Sequence, residues 1–147
     1  MIVAVTKYNI SDAARVHALS WQDSHREFCS PEFIAMHTVQ RQEAYLNHEL
    51  DQGKKVYLLL EDKPVGIVSV WNDLIENLYI LPEEQHRGYG TKLLRFALEQ
   101  CEGVPCLWIL ENNYRAFRLY TKYGFQKTGS VHMLSETISE IEMKKNV

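Results

Sequence analysis

The order of hydrophobic patterns along the chain predicts a mixed α/β domain (α+β), with a mostly antiparallel sheet, a parallel pair of strands at its centre and about four flanking helices. Three observations carry that prediction. Residues 55–61 and 64–71 are apolar, β-branched runs separated only by Asp62-Lys63, the pattern of an antiparallel hairpin. The apolar run through Asn77 to Leu81 passes by a glycine-containing turn into a helical stripe and then into a second apolar run at 104–110, which makes a β-α-β unit. Two alternating segments, 125–131 and 138–143, follow the last helix and add two more strands, with Glu136-Thr137 near their turn.

In order, residues 2–7 read as a first strand from their β-branched side chains, and Ser11-Asp12 offers a cap for a helix through Ala13 to Leu19. Residues 29–37 carry a proline and mixed polarity. Helical spacing returns at Val39, Ala44, Tyr45 and Leu50, and Gly53 stops it. Pro64 has no N–H to give a ladder, so it belongs at its strand's entry. Leu93, Leu94, Phe96, Ala97 and Leu98 form one stripe of a helix over 90–102, ended by Gly103. Residues 114–123 form another, with Gly124 in the left-handed position after it.

The chain has 147 residues, 46% of them hydrophobic, enough for one core and too few for a comfortable second, so a single domain over 1–147 is expected. A net charge of −3 with scattered basic residues supplies no stripe for nucleic acid or an anionic membrane. The N-terminus lacks a signal-peptide pattern and no apolar run is long enough to span a bilayer, so a cytoplasmic protein is expected. Cys29, Cys101 and Cys106 show neither even pairing nor zinc-ligand spacing, which points to reduced thiols, with Cys106 explained by core packing. Six dispersed histidines without an HExxH cluster give no support for a metal.

The segment Gln85-His86-Arg87-Gly88-Tyr89-Gly90-Thr91 joins the central strand to its helix. Two glycines two positions apart at a helix start let backbone N–H groups approach a phosphate without Cβ obstruction, and the helix dipole favours the anion. Gln85 stands where a dinucleotide loop needs its first glycine, and the spacing for a phosphate-binding lysine loop is absent. A nucleotide-binding oxidoreductase is therefore disfavoured.

Downstream, Asn113, Ala116, Leu119, Tyr120, Gly124 and Phe125 stand at the offsets N-x-x-A-x-x-L-Y-x-x-x-G-F. With Q-x-x-G-x-G after Glu76 to Leu81, this closely resembles the GCN5-related N-acetyltransferase (GNAT) family, from about Lys54 onward and only loosely before it. The resemblance implies acetyl transfer from acetyl-coenzyme A to an amine, on a fold whose two central parallel strands splay apart to admit pantetheine. It places the backbone of Leu78, Tyr79 and Ile80 beside the pantetheine and Gln85, His86, Arg87, Gly88, Tyr89, Gly90 and Thr91 around the pyrophosphate. Asn113 and Ala116 fall at positions near the pantetheine arm. Ordinary packing accounts for Leu78, Tyr79 and Ile80 as well, a solvated surface position for Arg87, loop shaping for Gln85 and a helix cap for Asn113.

The resemblance assigns Tyr120 as the acid that protonates the departing sulfur and Glu76 as a general base, directly or through water. Tyr120 as a stripe aromatic and Glu76 as a solvated strand-edge carboxylate are the competing readings. Trp21, His25 and Phe28 are candidates for the acceptor pocket, with Phe33 and His132 also conspicuous there. The implied partner is a primary amine, on a small molecule or a protein, acting on a monomer or homodimer. A noncatalytic acyl-coenzyme A sensor with the same fold is the alternative.

Overall fold

The computed structural model describes residues 1–146. Its elements run β1 (Ile2–Ala4), α1 (Ile10–His25), α2 (Pro31–Ala35), α3 (Val39–Asp51), β2 (Lys55–Leu60), β3 (Pro64–Trp71), β4 (Leu74–Ile80), a 3-10 turn (Pro82–Glu84), α4 (Tyr89–Gln100), β5 (Cys106–Leu110), α5 (Tyr114–Lys122), β6 (Phe125–Met133) and β7 (Ser139–Lys145). Seven strands form one sheet in the order β1-β2-β3-β4-β5-β7-β6, and β4 with β5 is the single parallel neighbour pair.

Strand alternation sends side chains to two cores. On one face, Leu58 and Ile67 pack with Ala13, Val16 and Leu46 of α1 and α3. On the other, Val68, Val70, Ile75, Leu107, Ile109, Ile141 and Met143 pack against Leu93, Leu94 and Ala97 of α4 and Tyr120 of α5. The sheet is thus a middle layer between two helical ones.

The boundaries differ from the sequence reading where side chains compete with the backbone ladder. β1 stops at Ala4 because Asn9 Oδ1 accepts from the Thr6 amide (2.8 Å) and Asn9 Nδ2 donates to the Ala4 carbonyl (3.0 Å), closing a turn. α1 accordingly starts at Ile10, ahead of Ser11-Asp12, which lie in its first turn. The segment read only as mixed polarity contains the short α2: Pro31 takes the first helical position, and Ser30 Oγ accepts from the Phe33 amide at 3.2 Å. The helices number five among the described residues. Cys106 is half-buried and points away from the core that Leu107 and Ile109 enter, so core packing does not account for it.

Candidate active site

The site begins with a gap in the sheet. β4 and β5 share one register pair, Leu74 with Cys106, where the Cys106 amide donates to the Asp73 carbonyl at 2.8 Å. Beyond it, among the described residues, no strand pairs with β4 on that side. Backbone groups left unpaired along a central strand need water or a ligand to satisfy them.

A bulge sits midway along this edge. The β3–β4 register slips between Ile67 and Ser69, and Asn77 takes a left-handed φ of 54°. Asn77 Nδ2 donates to the Tyr45 hydroxyl (3.1 Å) and to Ser69 Oγ (3.4 Å), while the Tyr45 hydroxyl donates to Glu49 Oε1 (2.8 Å). Past the bulge, Leu78 and Ile80 face the α4 core and Tyr79 faces α1, so side chains pack on both faces and leave the backbone edge open.

Glu76 lies one residue before the bulge, opposite Ser69. Its Oε1 is 3.4 Å from Lys54 Nζ, which also contacts Glu49 Oε1 at 3.0 Å. Burial works against the Lys54 charge, and the two carboxylates outweigh it, leaving the ammonium above the usual lysine range. Lys54 thus holds Glu76 at the groove.

The open edge of β4 leads to the start of α4. Gly88 is the residue before that helix, at φ 84°, and supplies no side-chain cap. The first bond there runs from the Lys92 amide to the Gly88 carbonyl (3.1 Å), so the amides of Gly88, Tyr89, Gly90 and Thr91 precede the ladder. By contrast, Ser30, Thr38 and Asn113 each accept a first-turn amide of their helices through a side-chain oxygen. His86 is exposed, also with a left-handed φ of 66°. Arg87 extends into solvent with Nη1 3.1 Å from Glu84 Oε2, and Gln85 Nε2 donates to the Ile80 carbonyl at 3.3 Å, which ties the loop to the strand.

α5 packs on the same face of the sheet as α4. Asn113 Oδ1 accepts from the Ala116 amide at 3.1 Å and caps the helix, and half-buried Ala116 packs on the α4–α5 core. Tyr120 is buried edge-on against Phe125, with ring centroids 5.8 Å apart. No side-chain hydrogen bond to its hydroxyl occurs within the described residues, and burial pushes its pKa well above the ordinary phenol value. Tyr79 is shifted the same way by burial and then by the neighbouring Tyr120, so both phenols stay protonated at neutral pH.

On the α1 face, the site has an aromatic wall. Trp21 stacks on His25 (centroids 4.0 Å) and on His37 (3.5 Å), Phe33 leans on both Trp21 and His37, and His17 stacks on Tyr79 (5.3 Å). Burial, then the other histidines, lowers His17 to about 4; burial also lowers His25 to about 4, against a bond to the Trp21 carbonyl. A cleft of about 320 Å³ opens beside this wall, lined by His17, Trp21, His37, Arg41, Gln42, Tyr45 and Asn77. A second cavity, about 380 Å³, lies by Gly103 to Pro105 at the closed end of the β4–β5 pair and holds none of these side chains.

The structure therefore brings Leu78, Tyr79, Ile80 and Gln85 to Thr91 onto one continuous edge, and sets Trp21 and His25 in the wall. Phe28 follows α1, its amide bonded to the His25 carbonyl (3.0 Å), and does not line the cleft. His132 lies on the β6–β7 hairpin, 3.1 Å from Glu140 Oε1. Sequence reasoning missed His17, His37, Arg41, Tyr45 and Asn77. The i, i+4, i+8 spacing of His17, Trp21 and His25 on α1 was the available signal for the first.

Among the described residues no group of three or more His, Cys, Asp or Glu could hold a metal, and no helix is long and apolar enough to cross a membrane. The three cysteines are unpaired, and burial raises each thiol, Cys101 to about 11.

This arrangement is that of an α/β protein whose sheet opens beside β4 into a groove that runs to an uncapped helix start. Residues 52–127 match the family model described as an acetyltransferase (GNAT) domain, and the chain belongs to that family. Over 69 residues it is 32% identical to the peptidyl-lysine N-acetyltransferase YjaB of Salmonella typhimurium, covering 47% of each chain. Over 60 residues it is 38% identical to an uncharacterized N-acetyltransferase of Archaeoglobus fulgidus, covering 38% of this chain and 41% of that one. The chain thus matches less than half the length of either relative.

Among solved structures, the PaiA N-acetyltransferase of Thermoplasma acidophilum in complex with coenzyme A superposes with a TM-score of 0.76 at 17% identity, over 100% of this chain and 98% of that one. YncA, a putative acetyltransferase of Salmonella typhimurium with acetyl-CoA, gives 0.70 at 16%, over 98% and 91%. At such identities the likeness establishes the fold.

Proposed function

We propose that this protein is an acetyl-CoA-dependent N-acetyltransferase that acetylates a primary amine. The observation that carries the reading is the unpaired edge of β4 running directly into the uncapped first turn of α4. In this reading the backbone of Leu78, Tyr79 and Ile80 bonds the pantetheine arm, and the amides from His86 to Thr91 hold the pyrophosphate as charge-assisted donors. The Arg87–Glu84 pair is exposed on the arginine side and worth at most about 1 kcal/mol, so a phosphate can take over the guanidinium. Asn113 keeps its amide nitrogen available while its oxygen caps α5.

In the reaction the amine nitrogen attacks the thioester carbonyl carbon, the C–S bond breaks, and the proton the amine loses must leave. Neutralising a lysine-like amine at pH 7 costs about 4 to 5 kcal/mol, so a base near the bulge is required, and Glu76 is the carboxylate there. Tyr120 donates its free hydroxyl proton to the departing sulfur. Buried phenols lack the water that would otherwise compete for that proton.

The test is thiol release from acetyl-CoA across a panel of small amines and lysine peptides, paired with calorimetry of acetyl-CoA binding. Amine-dependent release supports the enzyme; binding without release from any amine supports a sensor, and no binding removes both.

A further inference from the structure

The cleft between the first turn of α3 and the β4 bulge has a charge pattern that names its occupant. Arg41 is the only formally charged side chain of fixed sign lining it, and among the described residues it has no ion-pair partner. The carboxylates near Tyr45, Glu49 and Glu76, share the single ammonium of Lys54, and neither lies within ion-pair distance of Arg41. Arg41 also stands against its local field. It occupies the first turn of a 13-residue helix, where the dipole is positive, and no Asp or Glu shares that turn. Arg41 is exposed, so solvent offsets much of this dipole cost, and an anion bound in the cleft would offset the rest.

A second, independent observation points the same way. His17 is only 2% exposed, lines the cleft, and its Nδ1 has no hydrogen-bond partner. Buried polar nitrogens are nearly always paired, so this one marks the cleft wall as a place where the protein's own groups leave a polar atom unsatisfied. The amides of Gln42 and Asn77 add neutral polar groups to the lining. A volume of about 320 Å³ lies at the small end of ligand pockets, suited to a compact molecule rather than a folded chain. Asn77, at the bulge beside Glu76, is also part of the lining.

We propose that this cleft seats the anionic group of the acceptor, making the substrate a small amine that also carries a carboxylate or phosphate, with Arg41 as the specificity-determining residue. The inference rests on the acetyltransferase reading above. The anion meets Arg41 and the polar lining at one end, while the amine extends to the bulge, where it attacks the thioester and loses its proton as described.

The experiment compares kcat/KM for ω-amino carboxylates from glycine to δ-aminovalerate with alkylamines of equal length, phosphorylethanolamine with ethanolamine, and a lysine peptide. Wild-type protein is expected to prefer the best anion-bearing amine by about 10-fold to 100-fold, the worth of one hydrogen-bonded charge pair, and the carboxylate and phosphate arms show which anion fits. Arg41→Ala should cut that preference to about threefold or less, and Arg41→Lys should restore part of it. Equal or better turnover of uncharged amines or of the peptide, or a preference that survives Arg41→Ala, overturns the inference and leaves the acetyltransferase standing. Acetyl-CoA binding without turnover of any of these amines overturns it as well. Failure to bind acetyl-CoA brings down the parent reading with it.

Discussion

Gly90→Ala separates a glycine kept for a ligand from one that merely turns the chain. Gly90 occupies the second position of α4, its φ lies outside the left-handed region, and a Cβ added there would meet only Ile80 Cγ1 at 3.9 Å, ordinary van der Waals contact. The folded protein therefore has room for alanine without strain. Replacing a helical glycine in such a place narrows the unfolded ensemble and should raise stability by about 0.4 to 1 kcal/mol. The same methyl group projects from a turn whose free amides face the proposed pyrophosphate. Lengthening one charge-assisted bond there costs about 1.5 to 3 kcal/mol, so acetyl-CoA affinity should fall about 10-fold to 100-fold. Urea denaturation reads the first effect as a higher midpoint at unchanged slope, and calorimetry reads the second. Opposite signs are the expected outcome. Raised stability with unaltered affinity would show that no phosphate approaches Gly90, and the cradle would be lost from the account.

Three more substitutions and conditions have definite signs. Tyr120→Phe removes a hydroxyl with no side-chain partner among the described residues, so stability should hardly change while kcat falls by about 10² to 10⁴; wild-type turnover would assign Tyr120 to packing. Asn113→Ala removes the cap on the Ala116 amide and should cost about 0.5 to 2 kcal/mol in denaturation, and an unchanged midpoint would show the cap to be idle. His17, buried neutral with its pKa lowered to about 4, binds its proton more readily once unfolded, so stability should fall as pH drops from about 6.5 to 4, by about 3 kcal/mol from His17 and a similar amount from His25. His17→Gln should remove about half of that slope and leave the His25 share; a slope identical to wild type would contradict the assignment.

The uncapped helix start was readable in the sequence because its parts are local, whereas the gap beside β4 was implied only by the family resemblance. A strand, two glycines two apart and an amphipathic helix are contiguous, and backbone geometry follows from them. The Asn113 cap and the Tyr120 register were equally local on α5. The acceptor side was not, because it is assembled from α1, α3 and β4, and no short-range pattern reports that Arg41 and Asn77 line one cleft. The bulge at Asn77 depends on Tyr45 and Ser69, side chains from two other elements. Likewise, the partnership of Glu76 with Lys54 spans 22 positions, so its tethering emerged only from the sheet register and the placement of α3. Ser30-Pro31, by contrast, was a readable helix start that the polarity of its neighbours obscured.

The most direct measurement is a crystal structure of the protein saturated with acetyl-CoA. The pantetheine should lie along β4 between Ile75 and Ile80, on the edge that β5 leaves free after Leu74, with the pyrophosphate on the amides of residues 86–91 and the thioester sulfur within hydrogen-bond reach of Tyr120. A complex in which β4 and β5 close into a continuous ladder, or in which the coenzyme binds elsewhere, would contradict the account.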